Sequence, residues 1–207
     1  MIRADERDML GTFLKRLPLI GIAEPANIRE GPDPPDFLLE IENGKIGLEI
    51  TRSVWPEHAI AKRLQETKCP SLWSNLTRHG VIGTTRPGKK IGQRMSRPLF
   101  NQSLVTPWIP SAERSADWVT KIGRALIPKR ERYNEPSYPH ANYNEDWLLI
   151  HDYPPLPRRE STANDVHAPL ENLLKGPPGF ERDFDRIFIA SGHHLFMWHN
   201  RRLSYFK

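Results

Sequence analysis

Cysteine is almost missing from this chain: among 207 residues there is one, Cys69. A lone thiol excludes an internal disulfide framework and a cysteine-based structural zinc site. Long apolar runs are missing too. No stretch approaches the roughly 18 apolar residues of a membrane span, so no membrane partner is expected. At the N-terminus Arg3, Asp5, Glu6, Arg7 and Asp8 interrupt any apolar run, which argues against a secretory signal and makes the cytoplasm the expected compartment. The third shortage is local. From Thr67 to Ala112 there is no Asp or Glu, yet Lys68, Arg78, Arg86, Lys89, Lys90, Arg94 and Arg97 all fall there. An acid-free basic segment attracts phosphate by Coulomb force and counterion release. Its plainer use is a solvated loop facing acids elsewhere in the fold.

What is present fits one globular domain. Hydrophobic residues make up 38% and charged residues 27%, so the chain can bury a core, and its length suits one core better than two. Twenty prolines predict long rigid connections. Met9, Leu10, Phe13, Leu14 and Leu17 have helical spacing over residues 6–17, and Pro18 ends that helix. Residues 24–35 read as a proline-rich loop and residues 56–67 as a helix. Residues 68–110 read as a long basic, loop-rich insertion within a single domain spanning 1–207. A further helix is predicted from Ala112 to Leu126, stopping before Pro128. Trp147 to His151 reads as a buried strand, residues 165–175 as a helix, and Arg186 to Ala190 and Leu195 to Trp198 as the last strands. This order predicts an α/β fold, a mixed central sheet flanked by helices.

The clearest local pattern is a hairpin. Asp36 to Ile41 and Ile46 to Thr51 are strand-like and flank Asn43-Gly44, the favoured pair for a tight turn. Counting outward from that turn pairs Ile41 with Ile46, Leu39 with Leu48 and Phe37 with Ile50. Side chains alternate along a strand, so Phe37, Leu39, Ile41, Ile46, Leu48 and Ile50 share a core face. Asp36 and Glu49 share the other face as diagonal neighbours, about 7–8 Å apart at the backbone. Two carboxylates reaching inward from there can hold a hard cation such as magnesium, with water or phosphate completing the octahedron. A solvated, charged strand face is the plainer reading of the same residues.

Pro35-Asp36, twelve residues, then Glu49-Ile50-Thr51 resembles the PD-(D/E)XK motif of restriction-endonuclease-like nucleases. The order of helix, hairpin, helix and later strands matches as well. The resemblance implies a restriction-endonuclease-like fold and a metal-dependent endonuclease hydrolysing phosphodiester bonds, in DNA ahead of RNA. Magnesium, or manganese in its place, would be bound by Asp36, Glu49 and the main-chain carbonyl of Ile50. Glu6 on the first helix is a further carboxylate candidate, as helix acids serve in some relatives. Gln65 is a candidate for orienting substrate or water, although for Glu6 and Gln65 alike a solvated helix position is the commoner use. Arg86, Lys89, Lys90, Arg94 and Arg97 are the candidates for phosphate contact. Double-strand cutters of this fold often act as dimers, so a homodimer is the expected assembly.

The chain departs from the motif at its third position, where Thr51 stands in place of lysine. Threonine carries no charge, though its hydroxyl can hydrogen-bond a water. Three readings stay open: Thr51 suffices with the metal; a lysine has moved, Lys62 being the candidate; or the domain is a catalytically inactive nucleic-acid- or protein-binding module. Lys45 lies roughly 13 Å along the strand from Glu49 and is set aside. His193, His194 and His199, with His151 and His167 upstream, match no zinc-site spacing.

Overall fold

The computed structural model describes residues 4–42, 44–54, 112–140, 143–153, 160–176 and 180–207. The described elements belong to one compact unit, Met1–Ser53 with Ala112–Lys207. In chain order they are α1 (Ala4–Leu14), a 3-10 turn (Leu17–Ile20), β1 (Asn27–Glu30), β2 (Phe37–Ile41) and β3 (Gly44–Val54). Then follow α2 (Ala112–Tyr133), β4 (Glu145–Tyr153), α3 (Glu160–Lys175), β5 (Arg186–Ser191), β6 (His194–His199) and β7 (Arg202–Phe206). The predicted helix over 56–67, the insertion over 68–110 and Cys69 lie outside the described residues.

The seven strands form one mixed sheet in the order β1-β2-β3-β4-β5-β6-β7. The β4–β5 pair is parallel, joined through α3, while β1–β2, β2–β3, β5–β6 and β6–β7 are antiparallel. Strand alternation sorts the core into two layers. Phe37, Leu39, Ile46, Leu48, Ile50, Trp147, Leu149, Phe188 and Leu195 pack against Met9, Leu10, Phe13 and Leu17 on one face. The other face lies under α2, whose Trp118 packs at a tilt against Phe196, ring centroids 5.8 Å apart. Helices therefore cover both faces, as the element order predicts. Among the described residues no helix is long and apolar enough to cross a membrane.

Three local features differ from the sequence expectation. The hairpin register differs from the count outward from Asn43-Gly44, because Gly44 already pairs with Ile41 and Phe37 with Leu48. Gly44 has φ +145°, and a Cβ on it would collide with the side chain of Asn144. Asn144 clips the hairpin end, its Oδ1 accepting from the Lys45 N–H and its own N–H donating to the Lys45 carbonyl, both at 2.8 Å. The glycine thus serves this close approach and not the turn. A two-residue register shift leaves every side chain on its expected face, so the predicted core face holds.

Helix α2 runs through Pro128 to Tyr133 and does not stop before it. Proline cannot donate to the carbonyl four residues back, that of Arg124, but both residues are exposed, so water can take that acceptor. Strands β1 and β7 were not expected. All four β1 residues are exposed, which leaves no hydrophobic alternation to read. The β6–β7 turn uses Asn200 and Arg201 at φ 51° and 59°, so no glycine marks it.

Candidate active site

The site begins at a tight turn. The Gly31 N–H donates to the Asp36 carbonyl at 2.9 Å and the Asp33 N–H to the Pro35 carbonyl at 3.2 Å. A Cβ at Gly31 would collide with the Pro35 carbonyl oxygen, so the turn closes this tightly only on glycine. It delivers Asp36 immediately ahead of β2. With Phe37 level with Leu48, Asp36 comes level with Glu49 and is not diagonal to it. Directly opposed residues are closer than diagonal ones. Asp36 Oδ2 accepts the Ile50 N–H at 2.7 Å, which fixes the carboxyl against β3.

Glu49 is 1% exposed. Its Oε2 accepts from Lys129 Nζ at 2.6 Å, and its Oε1 receives no hydrogen bond among the described residues. Lys129 comes from α2, on the buried stripe that continues Trp118, Ile122 and Leu126 toward Tyr133 at helical spacing. The Asp36 carboxyl is close enough to share a proton with Glu49. Burial pushes it up to about 6; the Ile50 N–H resists this, the Glu49 charge adds to it and Lys129 opposes it. Arg132, three residues beyond Lys129, hydrogen-bonds Asp33 at 3.2 Å. Burial works against its charge, but Glu49, Asp33 and Asp36 outweigh that and hold the guanidinium above its ordinary value.

A wall of aromatic and polar groups adjoins the pair. Tyr133 donates to Asp146 Oδ2 at 3.1 Å and meets Tyr138 and His140 edge to face, with ring centroids 4.8 and 4.4 Å apart. Burial pushes the Asp146 carboxyl up to about 6 against the pull of Tyr133 and His140. Gly47 makes room for it, since a Cβ there would sit 2.8 Å from Asp146 Oδ1. Buried polar atoms with no partner among the described residues gather on this sheet face: Glu49 Oε1, Asp146 Oδ1, the Tyr138 hydroxyl and Ser53 Oγ.

Of the residues singled out in the sequence, Asp36, Glu49 and Ile50 come together, and Thr51 is half-buried two positions along on the Glu49 face. Glu6 sits on α1, the layer covering the opposite face of the sheet. Among the described residues no three His, Cys, Asp or Glu side chains form a metal-sized group, so Glu6 does not join the pair. His194 is buried, with its Nδ1 2.8 Å from the Tyr205 hydroxyl. Lys62, Gln65, Arg86, Lys89, Lys90, Arg94 and Arg97 lie outside the described residues. Sequence reading missed Lys129 because it ended the helix at Leu126, before Pro128. Carrying the three-and-four spacing past that proline would have found it.

The donor set suits a small hard cation. Two carboxyl groups meet, each with one oxygen held, by the Ile50 N–H and by Lys129, and a buried Glu49 oxygen has no donor among the described residues. The same crowding makes a stability prediction. A carboxyl raised from 3.8 to about 6 binds its proton more tightly folded than unfolded, so stability falls as pH rises from about 4 to about 6. In Asp36→Asn that ionisation is gone, and the amide can donate to Glu49 Oε1. In chelator the variant should melt above wild type at pH 7–8, with the gap closing toward pH 4. Some slope remains, because Asp146 acts with the same sign. Thermal melts from pH 4 to 8 decide this; a variant that melts lower at pH 8 would show that the pair does not repel.

Comparison of the chain with protein-family models, curated proteins and solved structures found no match.

Proposed function

We propose that this chain is a metal-dependent nuclease of the restriction-endonuclease-like kind, hydrolysing phosphodiester bonds in DNA ahead of RNA. One observation carries the reading: Lys129 Nζ lies 2.6 Å from Glu49, beside Asp36, and brings an ammonium to the acid pair although Thr51 occupies the motif position. The resemblance asks for two acids and a lysine; here the lysine comes from α2. The mixed sheet with helices on both faces and the hairpin after α1 support the same fold kinship.

Asp36 and Glu49 would hold magnesium or manganese, with the Ile50 carbonyl as the further ligand the motif implies. The metal would supply a water of lowered pKa and charge neutralisation at the phosphate. The protein's own groups do the rest. The Ile50 N–H fixes the Asp36 carboxyl. The buried floor of Gly47, Glu49 and Asp146 keeps bulk water away, which strengthens charge interactions there. Lys129 places a positive charge where negative charge would develop, on a water losing its proton and on the crowded phosphate. The Thr51 hydroxyl can hydrogen-bond a water. The basic residues Arg86, Lys89, Lys90, Arg94 and Arg97 would draw in the nucleic-acid backbone.

Supercoiled plasmid tests this directly. Nicking or linearisation is expected with magnesium or manganese, none with chelator, and none with Glu49→Gln. If duplex DNA, single-stranded DNA and RNA all stay intact while DNA is still bound, the chain is a binding module and the acid pair is a structural remnant.

A further inference from the structure

We infer that Arg132 is the substrate-binding residue that grips a backbone phosphate beside the scissile one, at the solvent mouth of the Asp36–Glu49 pair. The inference rests on the nuclease reading above and names a contact that the motif does not assign. Lys129 and Arg132 stand three residues apart on α2, and such residues share a helix face. They are used differently. The Lys129 side chain is 20% exposed and committed to Glu49, whereas that of Arg132 is 41% exposed and its guanidinium touches only Asp33 among the described residues. Asp33 is itself 73% exposed, and an ion pair this wet contributes little to stability. A purely structural reason for Arg132 is therefore weak.

Its position has a chemical reason. The tight turn that presents Asp36 also presents Asp33, so Arg132 is moored to the loop that carries a metal ligand. Asp33, Asp36 and Glu49 would repel a polyanion at this mouth, and Lys129 alone cannot offset three carboxylates. A bound metal would serve the scissile phosphate, while the neighbouring phosphate needs a cation of its own. A guanidinium has five donors in a planar fork suited to two phosphate oxygens, and Asp33 takes one hydrogen bond from it.

The test is binding, measured with a short fluorescent DNA duplex and chelator present so that nothing is cut. Arg132→Gln should weaken binding about tenfold and lower the slope of log affinity against log salt by about 0.9, one phosphate's worth of counterion release. Arg132→Lys should keep the slope. A structural ion pair would move the melting temperature and leave the slope alone. Unchanged affinity and slope in a folded Arg132→Gln overturns the assignment. If wild type binds but never cuts, the same slope change still supports the phosphate contact while the nuclease reading falls. If wild type binds no DNA, both fall.

Discussion

Lys129→Gln should fold and fail to cut. Glutamine keeps a donor for Glu49 Oε2 while removing the charge, so the variant should still fold, with a melt somewhat below wild type. The loss of one preorganised electrostatic contact at a reacting phosphate is expected to lower cleavage by about 10²–10³-fold. A second substitution makes the prediction sharper. Residues 49 and 51 share a strand face, so a lysine introduced at 51 reaches the same acid pair from the strand. Thr51→Lys in the Lys129→Gln background should therefore recover part of the lost activity, although it restores no contact on α2. Plasmid nicking under magnesium, with each variant's melt as the folding control, reads both effects. Cleavage at the wild-type rate by Lys129→Gln would remove the lysine from the mechanism and return the task to Thr51 and the metal.

The largest stability effect is expected away from this site. Lys121 on α2 pairs with Asp152 on β4, and their side chains are 1% and 0% exposed. Asp152 also accepts from Trp118 Nε1 at 2.7 Å and Ser191 Oγ at 2.5 Å. Burial pulls the Lys121 ammonium below its ordinary value, against the opposing attraction of Asp152. Desolvation therefore exceeds the gain from pairing at the lysine, and the network's worth lies in what happens when it is broken. Lys121→Met leaves an unpaired carboxylate in the core and should cost about 3–5 kcal/mol. Asp152→Ala removes the carboxylate that Lys121, Trp118 and Ser191 share, and should cost at least as much. Urea midpoints at constant m-value measure both. A loss under about 1 kcal/mol for Lys121→Met would mean that water or rearrangement reaches Asp152.

These two lysines lie eight residues apart on one helix, and neither role was legible in the sequence. A lysine in a helix is ordinarily a solvated residue, and periodicity does not say which sheet face the helix will cover. The acids were easier. Asp36 and Glu49 flank an alternating hairpin, and local pattern alone puts them on its non-core face. The sequence overestimated their separation because Asn43-Gly44 is the better turn by local propensity. The true register is chosen by Asn144, about a hundred residues further on, docking against Gly44. Propensity lost to a tertiary hydrogen bond there; at Pro128 it lost because exposure made the missing N–H cheap. Strands β1 and β7 were invisible for a different reason. Edge strands this open to water need no strict alternation, and the sheet itself supplies their pairing partners.

By itself, then, the chain determined a mixed α/β layering, the hairpin's core face and the two acids beside it. Each of these follows from short-range periodicity and from which side chains avoid water. Tertiary structure decided the rest: that Asp36 and Glu49 stand level, that α2 lies over their face, and that its Lys129 meets Glu49. Those facts depend on contacts between residues 80 or more positions apart. Only the folded chain can specify them, because the cost of burying Glu49 is met by a side chain that sequence distance does not reveal.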